Sequence, residues 1–148
     1  MENWEKAVDW VLSKEGGYID DPKDPGGETN FGISKRKFPE LDIKNLTKDT
    51  TKDIYRRTYW TSNLLDSYPW PYSAACLDSY VQHRPEVAKG MIERSGGDLR
   101  ALLEARRVFY LNLIAKKPEL IKFKNGWLNR INDLSKFCDM QKANLNVD

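Results

Sequence analysis

The chain has 148 residues, 40% of them apolar and 31% charged, with a net charge of +2. That length suits one compact domain or two small lobes sharing a core, and the composition is globular rather than disordered. A charge so near balance gives no argument for nucleic acid, and no run approaches the roughly 20 consecutive apolar residues of a membrane-spanning helix.

Apolar residues at Trp4, Ala7, Val8, Val11 and Leu12 predict a first helix with one buried stripe, stopped by Gly16 and Gly17. Glu15 then falls in its last turn. There the negative end of the helix dipole disfavours a second negative charge and favours the protonated carboxyl that a general acid needs. The opening MENWEKAVDW lacks the basic and then apolar order of a secretion signal, so folding in the cytoplasm of the producing cell is expected.

Residues 13–34, SKEGGYIDDPKDPGGETNFGIS, are the densest in chemistry. Pro22, Pro25, Gly26 and Gly27 force tight turns that can return a carboxylate or hydroxyl towards the helix end. Inverting cleavage of a glycosidic bond needs such a pairing, one carboxylic acid to protonate the leaving oxygen and an opposed group to activate water. Asp20, Asp21, Asp24 and Glu28 are also hard oxygen ligands, but their spacing does not follow the alternate-residue pattern of a calcium loop, so no metal is expected.

This run resembles the signature of the glycoside hydrolase family 108 muramidases of bacteriophage endolysins and related bacterial proteins. The matched elements are Glu15-Gly16-Gly17-Tyr18, Asp21-Pro22, Asp24-Pro25-Gly26-Gly27, Glu28-Thr29 and Gly32-Ile33. The resemblance implies that Glu15 is the catalytic acid. The spacing of Glu15, Asp24 and Thr29 or Asn30 is similar to the Glu, Asp, Thr triad of phage lysozymes, although a strict count puts Asn30 third. Asp24, Glu28 and Thr29 therefore all stand as the second group. Gly16, Gly17, Tyr18, Gly27, Glu28, Asn30 and Tyr59 are the expected substrate contacts, since glycines let backbone amides approach a sugar closely.

Ser34 caps a short turn before Pro39, and Thr47 opens a helix carrying Ile54, Tyr55, Tyr59 and Trp60, where core packing is the commoner use of the rings. A further helix, residues 72–82, places Asp78 among apolar neighbours, where a carboxylate must be paired, as a structural hinge or as cleft floor. The one histidine, His83, excludes a multi-histidine zinc site and reads as a helix-end residue; Cys76 and Cys138 read as reduced core thiols. Pro85 and Gly96-Gly97 bound the next helix, Asp98 caps the longest, to about Lys117, and Gly126 precedes the last, with a frayed tail from Lys142 to Asp148. Here Arg106, Phe109-Tyr110, Phe123, Gly126-Trp127 and Asn129-Arg130 resemble the C-terminal part of the predicted peptidoglycan-binding domain of the same family.

The expected architecture is mainly α and lysozyme-like, with six or seven helices and a small hairpin in which Tyr18-Ile19 faces Phe31-Gly32-Ile33. Residues 1–84 are read as the muramidase region and 85–148 as the wall-binding-like region, packed as one globule. The implied activity is hydrolysis of the β-1,4 bond between N-acetylmuramic acid and N-acetylglucosamine. No cofactor, nucleic acid or membrane insertion is expected, and nothing demands a dimer. As an endolysin, the protein would wait in the host cytoplasm and act on peptidoglycan in the periplasm. A lytic transglycosylase using the same glutamate, a non-catalytic wall-binding or secretion-related protein, and a small DNA-binding domain based on Ser34-Lys35-Arg36-Lys37 and Arg56-Arg57 are the competing readings.

Overall fold

A computed structural model describes residues 2–145. Among them are six α-helices and one two-stranded hairpin, the mainly α, lysozyme-like architecture expected from the sequence. The chain divides into two compact units, Met1–Leu64 and Leu65–Asp148.

In the first unit, α1 (Asn3–Lys14) buries Trp4, Ala7, Val8, Val11 and Leu12, the predicted stripe. Each large aliphatic side chain so buried contributes about 1.5–3 kcal/mol. Glu15 lies one residue beyond the last turn, in extended conformation (φ −91°, ψ 149°), and caps α1 by donating its N–H to the Leu12 carbonyl at 3.2 Å. The hairpin pairs β1 (Thr29–Asn30) with β2 (Ile33–Ser34) in the register Thr29 to Ser34 and Asn30 to Ile33. Its turn is the dipeptide Phe31-Gly32, both at positive φ (52° and 77°), as a type I′ turn requires. The expected pairing of Tyr18-Ile19 with residues 31–33 is thereby displaced. Ile19 bridges Thr29 instead, because a left-handed phenylalanine makes the turn where the sequence suggested strand.

The helix α2 (Lys48–Tyr55) starts on Thr47, whose hydroxyl accepts the Thr50 N–H at 3.1 Å, and continues as a π-helical stretch, Arg56–Thr61. The wider turn lets two consecutive rings point inward, Tyr59 against Tyr55 and Trp60 against Trp4, with centroids 5.4 Å apart in both pairs.

The second unit contains α3 (Tyr72–Gln82), α4 (Pro85–Ser95), α5 (Leu99–Lys116) and α6 (Lys124–Leu145). Asp98 caps α5 by accepting the Arg100 N–H, and Gly96 ends α4 at φ 58°. The last helix opens at Lys124, so Gly126 lies inside its first turns, and it runs through Leu145 where a frayed tail was expected; residues 146–148 lie outside the described residues. Cys76 and Cys138 are buried free thiols, both pushed up to about 12 by burial.

Asp78, wholly buried on α3, receives Arg106 Nη1 at 2.8 Å and Arg130 Nη2 at 2.7 Å, so both its partners lie in its own unit. Burial pushes its carboxyl up, but the two guanidiniums outweigh this and hold it below the ordinary 3.8. The Arg106 contact is an attraction between charges rather than a well-aligned hydrogen bond, and neither buried η nitrogen of Arg106 makes a hydrogen bond of good geometry among the described residues. His83, the residue after α3, is 8% exposed, and its Nε2 accepts the Arg106 Nε–H at 3.2 Å.

Burial, then the nearby Arg106 charge, lowers His83 to about 4 from 6.5. Between those values the unfolded chain binds a proton that the folded chain refuses. Stability is therefore whole above pH 6.5 and falls as pH drops towards 4, by about 3 kcal/mol from this group. Urea unfolding at both ends of that window is expected to show the loss, and His83→Gln is expected to flatten it.

Candidate active site

Glu15 is positioned by three things that the sequence supplies separately. Where α1 ends, its extended backbone turns the chain away from the helix. The next carbonyl, that of Gly16, accepts the Phe31 N–H at 3.1 Å, which ties the helix end to the hairpin turn. The side chain lies over Gly32: a methyl built there would stand 2.8 Å from Glu15 Oε2 and 2.6 Å from the Tyr55 hydroxyl. The Tyr55 hydroxyl donates to the Phe31 carbonyl at 2.7 Å. A carboxyl group and a phenol thus converge on a bare stretch of turn backbone, fixed from beneath by α2.

Gly32→Ala is accordingly expected to do more than strain the turn. The positive φ costs about 1 kcal/mol for a residue with a Cβ, and the methyl must displace either the carboxyl or the phenol. Misplacing a reacting group by about 1 Å costs on the order of a hundredfold in rate. The measurement is the rate of wall digestion beside a urea unfolding curve. Activity should fall about a hundredfold while the fold survives.

The loop after Glu15 is organised by its own carboxylates. Asp21 Oδ1 accepts the Lys23 N–H and Asp24 Oδ1 accepts the Gly26 N–H, at 2.9 and 2.8 Å, two successive Asx turns. The Asp24 side chain is exposed, and this bond uses one of its two oxygens. Thr29 is held by paired 2.8 Å backbone bonds to Ile19 and is half-buried. Gly27 needs its glycine for φ 72°, whereas a Cβ on Gly16 or Gly17 would meet nothing within 4 Å, so those two leave open space beside Glu15.

The other predicted contacts separate. Tyr18 donates to Glu28 Oε1 at 2.9 Å, a bond that raises the phenol above its ordinary 10.0. Asn30 is 6% exposed and donates to the Ile43 carbonyl at 3.1 Å, so its amide braces the hairpin from behind. Tyr59 is 7% exposed; its hydroxyl accepts the Lys37 ammonium at 2.7 Å. Sequence reasoning missed Gly32 as the surface under Glu15, and Tyr55 as the phenol beside it. The two-residue spacing of Phe31-Gly32 between Asn30 and Ile33 was the available signal for the turn. Among the described residues, no group of three or more His, Cys, Asp or Glu side chains is placed to hold a metal ion, and no helix is long and apolar enough to cross a membrane.

The Glycosyl hydrolase 108 family model matches residues 8–83, half of the chain, including every residue of this cluster. Among solved structures the chain is similar to one described as the structure of Brucella abortus SagA, at 27% identity and a TM-score of 0.78. That match covers 93% of this chain and 94% of the other. No curated protein matches in sequence.

Proposed function

Since the chain belongs to the Glycosyl hydrolase 108 family and is a glycoside hydrolase, we propose that it cleaves the β-1,4 bond between N-acetylmuramic acid and N-acetylglucosamine in bacterial peptidoglycan, with Glu15 as general acid. The observation that carries this reading is the convergence of the Glu15 carboxyl and the Tyr55 hydroxyl over Gly32, beside the open faces of Gly16 and Gly17. An acid so held can stay on the leaving oxygen while the sugar lies along bare backbone.

In this mechanism protonated Glu15 donates to the glycosidic oxygen as it leaves N-acetylmuramic acid. Water then attacks the anomeric carbon from the opposite face, as inversion requires. Asp24 and Thr29 are the groups proposed to hold that water. Asp24 Oδ1 is taken by the Gly26 amide, which leaves Oδ2 to accept from water. Tyr18, Glu28 and the amides of Gly16, Gly17 and Gly27 are the proposed sugar contacts; Asn30 and Tyr59 support them from within the fold. The reading extends to an endolysin that acts as a monomer, folding in the host cytoplasm and degrading peptidoglycan in the periplasm.

The test is the identity of the ends released from purified peptidoglycan. After borohydride reduction, mass spectrometry should find N-acetylmuraminitol. Reduced N-acetylglucosamine ends would move the cut to the other bond, and anhydro ends would make the enzyme a transglycosylase.

A further inference from the structure

The second unit holds a cavity of about 540 Å³, none of whose walls comes from the residues around Glu15. One side is aromatic: Tyr110 stacks on Trp127 with centroids 4.6 Å apart and planes at 14°, and Phe109 meets Tyr110 edge-on. Val87 and Leu113 add an aliphatic side, and exposed Arg84 stands at the rim. Such a box of rings suits either a cation or the flat face of a sugar or alkyl group.

The charges decide between them. Arg84 is the one charged residue of the lining, and no carboxylate is among the walls. Behind His83 and Tyr110 lies the buried cluster of Arg106, Arg130 and Asp78, two positive charges against one negative. A cation would meet repulsion from both sides; an anion would be drawn in.

Two further features place that anion. The helix α4 begins at Pro85 with no side-chain bond from its cap residue Arg84, so the N–H groups of Glu86 and Val87, ahead of the Ala88 bond to the Arg84 carbonyl, have no intrahelical partner beside the lining residues Arg84 and Val87. His83 lines the cavity although it is more than nine-tenths buried. Its Nε2 is used by Arg106, which leaves the ring proton of the neutral imidazole on Nδ1, and among the described residues that N–H has no acceptor.

We propose that this cavity binds a carboxylate-bearing fragment of the wall polymer, the carboxylate meeting His83 Nδ1–H, the first-turn amides of α4 and Arg84, and the apolar or sugar face lying on Phe109 and Trp127. Two sources have this chemistry, the lactyl acid of muramic acid and the carboxylate end of a stem peptide. The choice of the wall rests on the function proposed above. The site itself rests on the cavity.

The experiment is titration of the whole isotope-labelled chain with N-acetylmuramic acid, its methyl ester and N-acetyl-D-alanyl-D-alanine, read by NMR. At least one acid should shift the Trp127 indole and the amides of Glu86 and Val87 saturably, at roughly millimolar Kd. The acid that does so identifies the source. The ester should bind at least about tenfold more weakly, and Arg84→Glu, an exposed change, should weaken the acid about tenfold. Equal binding of ester and acid, or acids that leave these signals unmoved, would overturn the proposal. Glu15→Gln should keep the binding. If the wild type binds the acid here but cuts no glycan, this site stands and the hydrolase reading falls.

Discussion

Glu15→Gln is expected to lower the rate of peptidoglycan hydrolysis by about 10² to 10⁴-fold, the usual contribution of a general acid. The amide keeps the size and shape of the carboxyl, so it can lie on Gly32 and beside Tyr55 as the native side chain does. What it lacks is a proton to give. Unfolding free energy should stay within about 0.5 kcal/mol of wild type. Glu15→Asp separates placement from acidity: it keeps the proton but draws it back by one methylene, and an intermediate rate is expected. The checks are release of reducing ends and urea unfolding on the same preparations. A folded Gln variant with wild-type activity would remove Glu15 from the chemistry.

The largest effect on stability is expected at Asp78→Ala, a loss of about 3–5 kcal/mol. The carboxylate answers two guanidiniums, one of them on a residue with no exposure at all. Without it, Arg106 is a buried charge left with only neutral partners, the His83 ring nitrogen and the Tyr110 hydroxyl among them. Coulomb attraction is not the whole of this cost, because the desolvation of Arg106 is already present in the native fold and merely loses its compensation. The double variant Asp78→Ala, Arg106→Met should therefore recover much of the loss, since it removes the stranded charge as well. Urea unfolding of the two variants decides it: equal losses in both would mean that the cluster matters for packing and not for charge.

Local rules made α1, the Thr47 and Asp98 caps and the Gly96 stop legible, because each depends on a few adjacent residues. The carboxylate-rich loop was legible as turns for the same reason: Asp21 and Asp24 bond to amides two residues on. The hairpin register was not, since Phe31 takes a left-handed φ that its residue type does not announce. Nor was the floor of the site. Gly32 and Tyr55 are far from Glu15 in sequence, and nothing in either one's neighbours says that they will meet. Asp78 could be recognised as a carboxylate in need of partners, yet those partners, Arg106 and Arg130, sit two and three helices further along the chain. Helix boundaries slipped where no strong signal stood: Gly126 looked like a border, and α6 begins before it.

The most direct test of a wall hydrolase built on Glu15 is digestion of purified peptidoglycan in heavy-oxygen water, with mass spectrometry of the new ends. Hydrolysis predicts one heavy oxygen at the anomeric carbon of each new N-acetylmuramic acid end, formed by the wild type and not by folded Glu15→Gln. Ends without label, or labelled ends formed equally by both proteins, would contradict it.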